Sequence, residues 1–210
     1  TEPETTEPET TVPVKYETYV QQAADAPVAV DGEMTLELVP SAETVQAGDT
    51  ITVDVVVSNN AGIFAGTAYV EYDVNGLELV LNEDGTPAIV SGGIFSTFLC
   101  SEADGVITLY IEGDSMTENV TANGTVATIT FNVKADSAEG TYGVAFVAGN
   151  PEVGFDPEDF SNVDGETAVM GFKSTVITVE EPAEVTTTEP AEDATTAPAE
   201  DATTAPAEDA

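Results

Sequence analysis

The sequence has no histidine, no arginine and no tryptophan, and its only basic side chains are Lys15, Lys134 and Lys173. Each absence excludes something. Few of the usual catalytic bases, oxyanion clamps and sugar-stacking platforms remain without those three residue types. Cys100 is the single cysteine, so no internal disulfide can form. Flanked by Phe98 and Leu99, and with no histidine to activate it, it reads as a small buried hydrophobe rather than a nucleophile. No run of about 18 apolar residues occurs, so no segment reads as a membrane-spanning helix. What is abundant is acid: 40 aspartates and glutamates give a net charge of -37 at pH 7. Such a charge keeps a chain soluble and repels nucleic acid and anionic membranes. It favours basic partners or divalent cations, although a solvated acidic surface accounts for most of it without a partner.

The two ends differ from the middle. The start, TEPETTEPETTVP, repeats a Thr-Glu-Pro theme, and the end repeats PAEDATTA from Pro190, Pro198 and Pro206. Neither has large apolar side chains to offset the entropy of ordering. Proline and like charges extend such segments, and Thr-Pro-rich stretches are typical O-glycosylation sites in secreted proteins. Residues 1–32 therefore read as a linker and tether, in which Tyr16, Tyr19 and Val20 are apolar enough to dock on the domain, and 181–210 read as a second linker. A chain that begins in low complexity reads as a piece of something longer.

Residues 33–180 read as one all-β domain. Short runs rich in valine, isoleucine and threonine alternate with Gly, Asn and Asp turns. Nine runs qualify as strands: Met34–Val39, Thr50–Asn59, Ile63–Asp73, Leu77–Leu81, Ser96–Cys100, Gly105–Glu112, Thr125–Lys134, Thr141–Ala148 and Gly171–Val179. Period-two alternation assigns faces. In the seventh run Ala127, Ile129, Phe131 and Val133 face the core, and Val126, Thr128, Thr130, Asn132 and Lys134 face out. In the last run Val176 and Ile177 are adjacent, so alternation alone does not orient it. Turns at Gly48-Asp49, Asn75-Gly76 and Asn123-Gly124 bound the runs. Residues 149–169, with NPEVGFDPEDF, hold too many breakers for a strand and are expected to be irregular, with a helical turn near Asp156-Pro157.

Two segments carry a family resemblance. VQAGDTITVDVVVSNNAGIFAGTAYVEYD (Val45–Asp73) has a Gly-Asp turn, a β-branched strand, a Gly-containing loop and a strand ending in Tyr72-Asp73; Leu77–Val80 follows as the next strand. NGTVATITFNVKADSAEGTYGVAF (Asn123–Phe146) has a strand of the Gly-hydrophobic-Ala-x-Ile-x-Phe kind, a short loop and a strand with a buried phenylalanine. Each is a generic β pattern alone, but the ordered set resembles cohesins, the receptor modules of cellulosomal scaffoldins. The flanking linkers resemble those of ruminococcal scaffoldins. The resemblance implies a nine-stranded β-sandwich with jelly-roll topology. It implies a secreted or cell-surface module that binds a dockerin through a flat sheet formed by the eighth, third, sixth and fifth strands. It places calcium on the dockerin, with no cofactor in this chain. It also implies a non-catalytic monomer, with no nucleic acid and no direct membrane contact, in an assembly that degrades polysaccharides.

Alternation and the resemblance together name a docking face. On the third run Phe64, Gly66, Ala68, Val70 and Tyr72 form the more apolar side, which leaves Ala65, Thr67, Tyr69 and Glu71 outward. On the sixth, Ile107, Leu109 and Ile111 face the core and Thr108, Tyr110 and Glu112 face out. The two outward tyrosines are the expected anchors, since tyrosine offers area and a hydroxyl with few rotatable bonds. Tyrosines also pack against strand neighbours with no partner involved. Glu71 and Glu112 are expected as rim charges. Ala65 and Thr67 depart from the Asn and Asp of many enzyme-binding cohesins, which implies a different and more apolar specificity.

Other readings are weaker. The acids Glu152, Asp156, Glu158, Asp159, Asp164 and Glu166 suggest calcium. However, Phe160 stands where an EF-hand loop needs its first aspartate before Asn162, Asp164 and Gly165, which favours a solvated loop. Carboxylate pairs for glycoside hydrolysis are unavoidable among so many acids and carry little weight. A carbohydrate-binding module, or an adhesin stalk domain with a Lys–Asn amide at Lys134 or Lys173, shares the sandwich and is the alternative.

Overall fold

A computed structural model describes residues 32–147 and 160–180. The two linkers, the tether and the expected turn near Asp156-Pro157 lie outside the described residues. The described chain is all β. Its strands are β1 (Thr35–Pro40), β2 (Thr44–Gln46), β3 (Thr50–Ser58), β4 (Ala65–Tyr72), β5 (Leu77–Leu79), β6 (Ile89–Ser91), β7 (Thr97–Ala103), β8 (Val106–Glu112), β9 (Gly124–Val133), β10 (Gly140–Phe146), β11 (Phe160–Ser161), β12 (Gly171–Lys173) and β13 (Thr175–Glu180). One sheet runs β12-β1-β3-β9-β5, with β6 also on β9. The other runs β2-β13-β10-β4-β8-β7, with β11 also on β4. Together they form a two-sheet jelly-roll sandwich.

The core follows from alternation. Leu36, Val53, Val55, Ile129 and Phe131 of the first sheet, and Val70, Ile107, Leu109, Phe146 and Ile177 of the second, are all at most 2% exposed. Burying such side chains contributes about 1.5–3 kcal/mol each. Rings tie the layers together: Tyr72 meets Phe131 with centroids 5.0 Å apart, and Phe172 meets Phe146 at 5.4 Å. The β7–β8 hairpin turns on Asp104-Gly105, both with positive φ (55° and 82°). Two such residues match the twist of the flanking strands, which is why Asp-Gly serves there. The Glu102 carboxylate closes the turn by accepting the Gly105 N–H at 2.8 Å.

Every expected run contributes a strand, and three expectations need correcting. The last run is two strands, not one. β12 pairs in parallel with β1, β13 pairs antiparallel with β10, and Ser174 lies between them. Its hydroxyl accepts the Phe146 N–H at 3.0 Å where the chain passes from one sheet to the other. Beyond it Val176 is 51% exposed and Ile177 fully buried. Val126, expected outward, is 4% exposed. A bulge explains it: Val55 faces Ala127 and Val56 faces Thr125, so Val126 is the extra residue and turns inward. Finally, the stretch expected to be irregular contains β11. Phe160 lies opposite Gly66, where a Cβ would stand 2.2 Å from its ring, so only glycine leaves room for it.

Candidate partner-binding sheet

The strands expected to form the docking face are adjacent, in the order β10-β4-β8-β7. Pairing sets their outward side chains in rows. Ala65, Glu112 and Thr97 form one row; Thr67, Tyr110 and Leu99 the next; Tyr69, Thr108 and Ser101 the third. Glu71 follows, between Ala145 of β10 and Val106 of β8. The alternation argument therefore places all seven nominated residues on one side of one sheet. Ala65, Thr67, Tyr69, Thr108, Tyr110 and Glu112 are partly exposed, as side chains able to meet a partner must be.

Glu71 is the exception. It points to the outward side by period but is only 4% exposed. A rim charge steers encounter through solvent, and a buried carboxylate cannot. The expected rim role of Glu71 is therefore corrected, and Glu112 alone of the two keeps it. Alternation fixes the side of the sheet a residue leaves from, and says nothing of what lies over it.

Leu99 was not among the nominated residues. It is 62% exposed, in register with Tyr110 on the outermost strand of the sheet. Its neighbours Phe98 and Cys100 pack against the core, so alternation on β7 points Leu99 outward. That signal was present in Phe98-Leu99-Cys100. The Cys100 thiol has its pKa raised by burial, in keeping with a small hydrophobe rather than a nucleophile.

Tyr110 donates its hydroxyl proton to Glu112 Oε2 at 2.9 Å. The two residues are one pleat apart on β8, so their side chains leave the sheet on the same side. The phenol pKa is raised first by this hydrogen bond, then by desolvation and by the charge of Glu112. On the same sheet's inner side, Tyr72 is pushed up to about 12, first by burial and then by the charge of Glu102.

Of the six acids that suggest calcium, Glu152, Asp156, Glu158 and Asp159 lie outside the described residues, and around Asp164 and Glu166 the polar contacts are local. Asn162 Oδ1 accepts the N–H groups of Asp164 and Glu166, at 3.0 and 2.9 Å, and Asn162 Nδ2 donates to Glu166 Oε2. Asn162-Val-Asp-Gly-Glu is thus a self-closed Asx-type turn. Among the described residues no three acids or cysteines are grouped so as to hold a metal ion. Lys134 donates to the Val74 carbonyl at 2.6 Å, and Lys173 pairs with Glu37. Neither lysine's partner is an asparagine.

Comparison with known proteins follows the same line. The family described as the cohesin domain matches residues 36–171, well over half the chain. No curated protein matches the sequence. Among solved structures, the seventh ScaB type I cohesin of Pseudobacteroides cellulosolvens is 22% identical, with a TM-score of 0.55, covering 73% of this chain and 96% of that one. A type III cohesin module from the cellulosomal ScaE cell-surface anchoring scaffoldin of Ruminococcus flavefaciens is 19% identical, with a TM-score of 0.57, covering 76% and 92%. The Coh-OlpA–Doc918 complex, a type I cohesin–dockerin complex of Clostridium thermocellum, is 18% identical, with a TM-score of 0.54, covering 70% and 99%. At these identities the likeness is one of fold, and the family assignment rests on the match over 36–171: the chain belongs to the cohesin family.

Proposed function

We propose that this module is a non-catalytic receptor that binds a dockerin through the outward face of β10-β4-β8-β7, within an extracellular assembly that degrades polysaccharides. The observation that carries the reading is the row Thr67–Tyr110–Leu99, with Tyr69 beside it: aromatic and aliphatic side chains held outward on three neighbouring strands. Large apolar groups fixed on rigid strands make good anchors, because little conformational freedom is lost on binding. That one related structure is a cohesin–dockerin complex supports the choice of partner. Calcium belongs to the dockerin on this reading, and this chain supplies no cofactor. The unbound module is a monomer that touches neither membrane nor nucleic acid. It works secreted, or at the cell surface through a parent scaffoldin, joined to its neighbours by the acidic linkers. Ala65 and Thr67 make the β4 part of the face small and less polar, and so select a dockerin with an apolar contact surface.

The test is a titration of the full chain against a panel of dockerins in calcium, with EDTA as control. Binding of at least one dockerin that EDTA abolishes is expected. Absence of binding across a broad panel, together with capture of polysaccharide by the isolated chain, would replace this reading with that of a carbohydrate-binding module.

A further inference from the structure

Resting on the dockerin reading, we infer that Tyr110 and Glu112 form an acceptor-only site on the docking face, and that the cognate dockerin fills it with an arginine or lysine. The argument is one of proton bookkeeping. A phenol has one O–H to give, and Tyr110 gives it to Glu112 at 2.9 Å. What the phenol oxygen has left is acceptor capacity. An ionised carboxylate only accepts. The pair therefore presents oxygens and no proton, and a partner must bring donors to it.

Among the described residues no positive charge stands beside the pair on its own sheet. The pair's cross-strand neighbours on β4 are Ala65 and Thr67, and on β7 Thr97 and Leu99, all uncharged. The small side chains of β4 leave room beside the carboxylate. Lys134 and Lys173 are the only lysines among the described residues, and both belong to the other sheet or its end. Lys173 is engaged by Glu37 and Lys134 by a backbone carbonyl. Among the described residues no cation of this sheet neutralises Glu112, and a net charge of -37 on the chain makes a basic partner welcome. A guanidinium suits the geometry best, since its planar fork can bridge a carboxylate oxygen and a phenol oxygen at once. The same bookkeeping supplies discrimination. A dockerin with Asp, Glu or a lone acceptor at that point would meet two acceptors and a negative charge, a contact that like-charge repulsion disfavours.

The experiment is a double-mutant cycle. The probe is whichever dockerin binds the parent chain most tightly, with each of its Lys and Arg residues changed singly to Gln. On this chain Glu112→Gln removes the charge and keeps the shape, and Tyr110→Phe keeps the ring and removes the hydroxyl. Thr130→Ala, on the outer face of the opposite sheet, is the control. Glu112→Gln is expected to weaken binding about tenfold and to reduce its sensitivity to salt, as loss of a charge-assisted contact does. One partner residue should give a similar loss, and the two changes together should cost less than their sum. Tyr110→Phe should cost less than Tyr110→Ala. Parental affinity in Glu112→Gln, or a loss that couples to no basic residue of the dockerin, would overturn the inference and leave dockerin binding standing. Failure of every dockerin to bind the parent chain would overturn both.

Discussion

The two outer faces of the sandwich are built by the same alternation and differ in what occupies it. On the β1-β3-β9 side several outward polar groups bond to one another, and Val90 of β6, opposite Thr128, is 66% exposed. Thr50 donates to Asn132 at 2.8 Å, Thr128 to Asp54 at 2.6 Å, and Lys173 pairs with Glu37. These are cross-strand neighbours or near neighbours, and their donors are used within the sheet. On the β4-β8-β7 side the outward positions carry Tyr69, Tyr110 and the 62% exposed Leu99, and the Tyr110–Glu112 pair ends in acceptors. Polar groups already paired gain little from a partner, because each new contact must first break one they have. A face of rings, an exposed leucine and open acceptors gains apolar burial and new bonds together. This contrast in polar pairing and in aromatic side chains, rather than apolar exposure alone, favours β4-β8-β7 as the docking side.

The largest effect that could break the contrast is loss of an anchor. Tyr69→Ala and Tyr110→Ala should each weaken dockerin binding by about 2 kcal/mol or more, roughly thirtyfold. Thr130→Ala on the other face should leave binding unchanged. Calorimetric titration with a melting curve for each variant is the check. If the Thr130 variant loses affinity and the tyrosine variants do not, the docking face has been assigned to the wrong sheet.

Leu99 sharpens the comparison on the outermost strand. Truncation to alanine should cost about 1–2 kcal/mol of binding, as an apolar contact at the margin of an anchor cluster. Stability should barely change, since an exposed side chain leaves no cavity. A melting temperature that drops by several degrees would place Leu99 with the core instead.

These residues also mark how far the sequence could be read. Strict period-two runs on β4 and β8 put Ala68, Val70, Ile107 and Leu109 inside and both tyrosines outside from the residue pattern alone, and Leu99 obeys the same rule. The misreadings have local physical causes. The bulge that turns Val126 inward adds one residue to one strand, and no residue pattern announced it. The break at Ser174 depends on a hydroxyl reaching the Phe146 N–H from another strand. Glu71 follows the alternation and is still buried, because cover is a tertiary property. β2, β6 and β11, of two or three residues each, are too short for a period and exist through the ladders they join.

A smaller effect tests the opposite face. Thr128→Val removes the hydrogen bond to Asp54 and leaves that carboxylate with one donor fewer. It should cost about 1 kcal/mol of stability, a few degrees in melting temperature, with dockerin affinity unchanged. Were affinity lost and melting unaltered, the β1-β3-β9 face would be the one in contact with a partner.

The smallest effect separates two tyrosines of one sheet by the cause of their shifts. Tyr72, facing inward, is pushed up to about 12 chiefly by burial, and Tyr110, facing outward, is raised chiefly by its bond to Glu112. Glu112→Gln should therefore return Tyr110 toward its ordinary value and leave Tyr72 where it is. The sign for stability follows from Tyr72. Its neutral form is favoured in the folded state, so its contribution is complete below the ordinary value of 10.0 and is lost as pH rises toward about 12. Ultraviolet difference titration, or carbon-13 shifts of the tyrosine ζ carbons, would resolve the two. Denaturant unfolding from pH 9 to 12 should show stability falling across that window in the parent. The fall should be smaller in Tyr72→Phe, which has no phenol to ionise. Should Glu112→Gln move Tyr72 and not Tyr110, the hydrogen bond that defines the acceptor site would not exist in solution, and the docking face would have to be argued from its apolar side chains alone.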